Sequence, residues 1–270
     1  MGRRIGCGFL LIFLLAAALS GGCAGPGEAT PEAVPPREVL TQVSTLQALL
    51  DGVYDGVMPV GILKQKGDLG IGTLEGLDGE LIILDGAAYQ VQADGKVYAV
   101  SDDQKTPFAS VTYFDADRTA ALEPDMDFAE MQQFLGEWLP TENLFYAVKI
   151  EGTFSYVKTR AVPGQSKPYP PFLEVTRHQP EFEFTEVSGT IVGFRYPPYV
   201  SGVNMVGYHL HFLTDDKSAG GHLMDLEVKE GTVSIDDTPG FLMVLPDEGS
   251  DFYQIDLSDD RQEQLEEAEK

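Results

Sequence analysis

The stretch YHLHF alternates strictly. Tyr208, Leu210 and Phe212 fall on one side of an extended chain, and His209 and His211 fall on the other. The apolar side predicts burial against a core, which leaves both imidazoles on the opposite face. TDDKSAGG follows, with the polar and glycine content of a hairpin loop. Pairing the flanking strands symmetrically about Asp216–Lys217 sets His222 opposite His211. Directly opposed residues have Cβ atoms roughly 4.5–5.5 Å apart. The pattern therefore predicts three imidazoles converging on one point.

The same two periodicities organise the rest of the chain. STLQALLDGVYDGVM repeats apolar residues at helical spacing through Leu46, Leu49, Leu50 and Val53, with Ser44 as the expected N-cap. Runs such as LIIL and YQV, separated by Asp-Gly, predict strands joined by tight turns. DFAEMQQFLGEWL returns to helical spacing, with Phe128, Met131, Phe134, Leu135 and Trp138 on one core-facing side. Five strand-like runs follow: LFYAVKIEGTFSYVKTRAV, EFEFTEVSGTIVGFRY, YHLHFL, HLMDLEV and TVSIDD. No period of 20–50 residues repeats, which argues against a solenoid or propeller. The predicted class is α+β: predominantly antiparallel or mixed β-sheets in two closely packed sheet-based lobes, with few helices.

Composition narrows the setting. With 43% hydrophobic residues in 270, the chain has material for a substantial core. A formal charge of -25 argues against nucleic acid, and equally against an anionic membrane surface, as a partner. At the N-terminus, two arginines precede the apolar run FLLIFLLAAAL and the small residues SGGCAG. This order predicts an export signal over residues 1–23, and hence a secreted protein or one attached outside the cell membrane. Cys23 is either a point of lipid attachment or lies beside simple cleavage near Ala24; both readings stay open. Cys7 lies inside the signal, so no intrachain disulfide is expected after export. Residues 24–38, rich in Pro, Gly and Glu, read as a flexible tether, and folding is expected from Val39 to the C-terminus. The last stretch, LSDDRQEQLEEAEK (257–270), reads on composition as a solvated helix or frayed tail.

Three of the four histidines fall within the fourteen residues His209–His222. Three imidazoles and an open fourth position suit Zn²⁺ better than Fe or Mn, and the open position points to catalysis. HExxH is absent, as is a glycine-rich loop ending in Lys-Ser/Thr. The HxH pair is cupin-like, but the expected glutamate is missing and the third histidine is too near. His178, beside a proline, reads as a surface residue.

Several segments, taken together, resemble the bacterial α-acetolactate decarboxylase family: GDLGIGTLEGLDGELIILDG, KTPFASVTYF, NLFYAVKIEGTF, KTRAVPGQSKPYPP, EFEFTEVSGTIVGF and GYHLHFLTDDKSAGGH. The likeness runs from about Val39 to the C-terminus. It implies a zinc-dependent carboxy-lyase that converts 2-acetolactate to acetoin and CO₂ through a metal-stabilised enediolate, usually as a homodimer. It implies His209, His211 and His222 as zinc ligands, in agreement with the strand geometry. The glutamate ending the family's LDGE motif matches Glu80, and the arginine of its Arg-x-Val-Pro stretch matches Arg160; both are implied to be catalytic, Arg160 also binding substrate. Thr73, in GIGT, matches a position close to the substrate. A further catalytic glutamate, from a tail folding back to the metal, falls on Glu269 when the tail aligns without gaps, with Glu266 and Glu267 as alternatives. The proton donor stays open among Glu80, the tail glutamate, Arg160 and a zinc-bound water. Read without the resemblance, Glu80 is also a plausible turn carboxylate, and the chain is also readable as an exported metal- or solute-binding module without catalysis.

Overall fold

The computed structural model describes residues 37–259 and 261–269, together with Gly2; the side chains of Glu266 and Glu269 lie outside the description. The export signal, Cys23 and most of the tether fall outside the described residues. The elements run β1 (Val39–Val43), α1 (Leu46–Leu50), β2 (Met58–Pro59), α2 (Val60–Leu63), β3 (Leu69–Thr73), β4 (Glu80–Leu84), β5 (Ala87–Val91), β6 (Val97–Ala99), β7 (Lys105–Thr106), β8 (Ala109–Thr112), β9 (Arg118–Leu122) and α3 (Phe128–Trp138). Then come β10 (Phe145–Arg160), α4 (Phe172–Thr176), β11 (Glu181–Tyr196), β12 (Gly207–Thr214), β13 (Gly220–Thr238), β14 (Gly240–Val244) and α5 (Gln262–Glu269).

Two sheets carry the fold. The first has seven strands in the order β14-β1-β8-β3-β4-β5-β6, antiparallel except where β1 runs parallel to β14. The second has the order β10-β11-β12-β13-β9, all antiparallel, and β10 also pairs with β13, so four of its strands close on themselves. Strand alternation sets the layers. From β10, Tyr146, Val148 and Ile150 join Ile191, Leu210 and Phe212 in one core. Phe145 and Ala147, on the other face, join Val192 and Phe194 against Leu40, Ile71 and Ile82 of the seven-stranded sheet. His209 and His211 share this second face and so look between the sheets. The α+β class, the packed sheets and the scarcity of helices agree with the sequence pattern.

Local differences have physical reasons. Ser44 has φ 59, and Thr45 caps α1 instead, its Oγ1 accepting from the Ala48 amide at 3.2 Å. HLMDLEV and TVSIDD are one continuous strand, β13. Its pairing with β10 shifts register near Lys158/Thr159: Lys158 faces Asp225 and Thr159 faces Leu223, with Met224 left over. This bulge inverts the alternation. Leu226 and Leu223 both enter the inner core, and His222 turns to the opposite face. Without it, His222 would share a face with Leu226. In α3, Asp127 and Glu130 form a capping box; Met131 and Leu135 are buried, and Phe128, Phe134 and Trp138 pack partly buried against the same core.

A carboxyl outside the histidine trio is also buried. Asp236 on β13 is 1% exposed, and its Oδ2 accepts from the Asp115 amide at 3.2 Å. Burial pushes its pKa up to about 7, and the nearby charges of Glu38, Asp117 and Asp115 push the same way. The folded state thus holds this proton after the unfolded chain has released it. Its contribution is intact below about pH 4 and is lost as pH rises to about 7, at no more than ~1.4 kcal/mol per pH unit. Asp236→Asn is therefore expected to gain stability relative to the parent across that window and to hold a constant lead above it. Thermal melts at stepped pH test this; a pH-independent difference would contradict it.

Candidate metal centre

Each histidine reaches the centre by a different local device. The alternation of β12 delivers His209 and His211, and the β13 bulge delivers His222, which pairs directly with His211. Gly221, at φ +136, lets the strand pass close to β10: a Cβ there would lie 2.4 Å from the Arg160 carbonyl oxygen. The three rings are buried at 5%, 1% and 3% exposure, with centroids 5.0–5.4 Å apart. One nitrogen from each lies within 4.8 Å of the others.

Burial favours the neutral form of His209 and His211, the form that metal ligation requires. Burial pushes the His209 pKa down to about 3, and the Arg160 charge adds to it. Burial likewise holds His211 well below its ordinary value, with His209 and Arg160 contributing. His211 Nδ1 lies 3.0 Å from the Leu81 carbonyl oxygen. A carbonyl can only accept, so the proton sits on Nδ1 and Nε2 carries the lone pair. That Nε2 is buried without a hydrogen-bond partner and 3.6 Å from Glu80 Oε2. A buried lone pair aimed at two more imidazoles is a costly arrangement unless a cation accepts it. The donor set thus fits a divalent ion of the zinc kind.

Glu80 opens β4 directly after a tight turn, 7% exposed, and its Oε1 accepts from the Val162 amide at 3.3 Å. The turn is held from several sides. Gly79 has φ +74, and a Cβ there would lie 2.2 Å from the Val91 carbonyl oxygen. Gln90 Nε2 donates to both the backbone and side chain of Asp78, at 2.7 and 2.8 Å. Thr73 Oγ1 donates to the Gly79 carbonyl at 2.7 Å. Thr73 therefore lines the pocket while its hydroxyl fixes the turn that presents Glu80. Arg160, the last residue of β10, pairs with His222 across the ladder, is 2% exposed, and donates through Nη1 to Gln179 Oε1 at 2.8 Å.

Thr73, Glu80, Arg160, His209 and His222 all border one small cavity of about 30 Å³, walled by Leu46, Leu49, Leu77, Phe108, Val162 and Phe172. A larger cavity of about 820 Å³ lies beyond His222, beside α3 and Tyr208, and is lined by neither Glu80 nor Arg160. The C-terminal stretch is not a solvated tail. Leu265 and Ala268 of α5 are buried in the same cluster as Leu46, Leu49, Phe108, Val162 and Phe172. Arg261–Asp51, Arg177–Glu267 and Ser201–Gln262 tie the helix down at its rim. The side chains of Glu269 and Glu266 are outside the described residues; Glu267 is exposed and pairs with Arg177. His178 is exposed, as its sequence context suggested. The carbonyl of Leu81, the amide of Gln179 and the packing of α5 have no sequence signature, because each acts through backbone position or tertiary packing.

The fold thus gathers a buried trio able to hold a metal ion beside an acid and a guanidinium at one cavity. The family model for alpha-acetolactate decarboxylase matches residues 40–259. The alpha-acetolactate decarboxylase of Methanosarcina mazei is 54% identical over 233 residues, covering 86% of this chain and 81% of its own. That of Methylococcus capsulatus is 44% identical, covering 84% and 87%. The crystal structure of the Bacillus subtilis strain 168 enzyme superposes with a TM-score of 0.83 at 40% identity, covering 86% of this chain and 99% of that one. The chain belongs to the alpha-acetolactate decarboxylase family, and is a carboxy-lyase.

Proposed function

We propose that this enzyme decarboxylates 2-acetolactate to acetoin and CO₂ at a zinc ion held by His209, His211 and His222. The observation that carries the reading is the convergence of three buried imidazole nitrogens within 4.8 Å, beside Glu80 and Arg160, in a chain of this family. Held by these three imidazoles, a zinc ion would supply positive charge beside the substrate's ketone oxygen, where the decarboxylation leaves its electrons.

The chain's own groups do the rest. Arg160 offers a fork of donors to the substrate oxygens, and it acts most strongly where negative charge grows. Holding the leaving carboxylate too firmly would stabilise the ground state, so the retained oxygens are the better target for its bonds. Glu80 is placed to move a proton at the carbon that CO₂ vacates, being buried and anchored through one oxygen by the Val162 amide. Leu49, Phe108, Val162 and Phe172 form an apolar wall that keeps water from the reacting carbon. Membership of an enzyme family favours this reading over a metal- or solute-binding module. The same proposal places the enzyme outside the cytoplasm, on the strength of its N-terminal sequence, and makes it a homodimer by analogy with its family.

Racemic acetolactate incubated with the zinc-loaded protein should yield acetoin, and Arg160→Ala should lower the rate by about a hundredfold. Zinc-loaded protein that forms no acetoin above the spontaneous rate contradicts the proposal. Truncation after Glu263 removes Leu265, Ala268 and the tail acids, and is expected to cost about a hundredfold in turnover. An unchanged rate in the truncated enzyme would show that α5 is dispensable.

A further inference from the structure

Arg160 is almost inaccessible to solvent, so the direction of its guanidinium depends on the groups that hold it. One holder is an amide: Nη1 donates to Gln179 Oε1 at 2.8 Å. Backbone bonds bring Gln179 there. The chain leaving α4 turns through His178 N to Val175 O at 3.1 Å and Gln179 N to Thr176 O at 3.3 Å. The next residue, Pro180, then accepts from the Ala161 amide at 3.3 Å, strapping this segment beside Arg160 before β11 begins. The carboxylate on the same segment is engaged elsewhere. Glu181 is the ladder partner of Arg160, yet its side chain meets Lys158 at the surface, 2.7 Å away.

We infer that Gln179 is a positioning residue for the reaction: a neutral acceptor that aims the Arg160 guanidinium into the cavity without adding a negative charge beside it. The inference rests on the proposed role of Arg160. A carboxylate at position 179 would bind a guanidinium more strongly, often through two parallel bonds, and would draw it away from the substrate oxygens. An amide gives direction at lower cost to the field that Arg160 exerts. Because that field counts most where charge develops, losing it lowers kcat more than it raises KM.

The test uses the full-length, metal-loaded enzyme with acetolactate, comparing Gln179→Met, Gln179→Glu and Arg160→Ala for kcat, KM, metal content and melting temperature. Gln179→Met should lower kcat by about tenfold with KM moved less than about threefold. Gln179→Glu should lower kcat further, by about a hundredfold, although it retains an acceptor oxygen. A Gln179→Glu enzyme as fast as Gln179→Met overturns the inference. So do variants that melt earlier but keep the parental kcat per folded, metal-loaded molecule, since that is the mark of a purely structural residue. Arg160→Ala at parental turnover removes the underlying role of Arg160 itself. A crippled Arg160→Ala beside two fully active Gln179 variants removes only the role of Gln179.

Discussion

His209→Ala is expected to lose its metal and its turnover together, with kcat falling by at least about a hundredfold. The reasoning starts from burial. His209 is 5% exposed and held neutral, with its pKa pushed down to about 3, so its ring can neither charge cheaply nor turn to solvent. The ring faces two others at 5.0 and 5.4 Å, an arrangement that gains little unless the nitrogens share a cation. Removing one donor leaves two, and structural and catalytic zinc sites rarely hold with fewer than three protein ligands. Metal content and acetoin formation, measured on the same preparation, check the expectation. A metal-free His209→Ala protein with parental activity would contradict it.

Glu80→Gln is expected to keep the metal and lose about 10²–10⁴-fold in kcat. The glutamine carbonyl can still accept from the Val162 amide, as Glu80 Oε1 does, so the turn held by Gly79, Asp78 and Thr73 should survive. Proton transfer is what the amide cannot supply. This variant therefore separates a catalytic carboxyl from a turn carboxylate, because a turn residue would tolerate the change with parental kcat. Steady-state kinetics beside metal analysis give the answer, and a parental rate would remove Glu80 from the chemistry.

The histidine face was legible in the sequence because strand alternation has a period of two and the hairpin loop is short. The pairing of His211 with His222 follows from that arithmetic alone. The means by which His222 reaches the common face was not legible. The bulge at Met224 depends on how β13 lies against β10, and nothing in HLMDL marks it. Position 225 is likewise aspartate whether or not the strand bulges.

The helix cap was misplaced by one residue, because Ser44 and Thr45 are both good caps and only the positive φ of Ser44 decides between them. The C-terminal helix misled in a different way. Among its many charges only Leu265 and Ala268 are apolar, too few to signal an amphipathic face, yet those two side chains are buried with Leu46, Leu49, Phe108, Val162 and Phe172. Glu80 and Arg160 stood out only beside a family pattern. Their closeness depends on β4 and β10 meeting across two sheets, which no local spacing encodes.

The central claim is that the three imidazoles hold the ion on which decarboxylation depends. Its most direct test is to strip the protein with a chelator and titrate Zn²⁺ back while following acetoin formation from acetolactate. The account predicts a rate that rises in proportion to added zinc and levels off at about one ion per chain, the number a single three-histidine site can hold. Full activity in the stripped protein before any metal is added would contradict it.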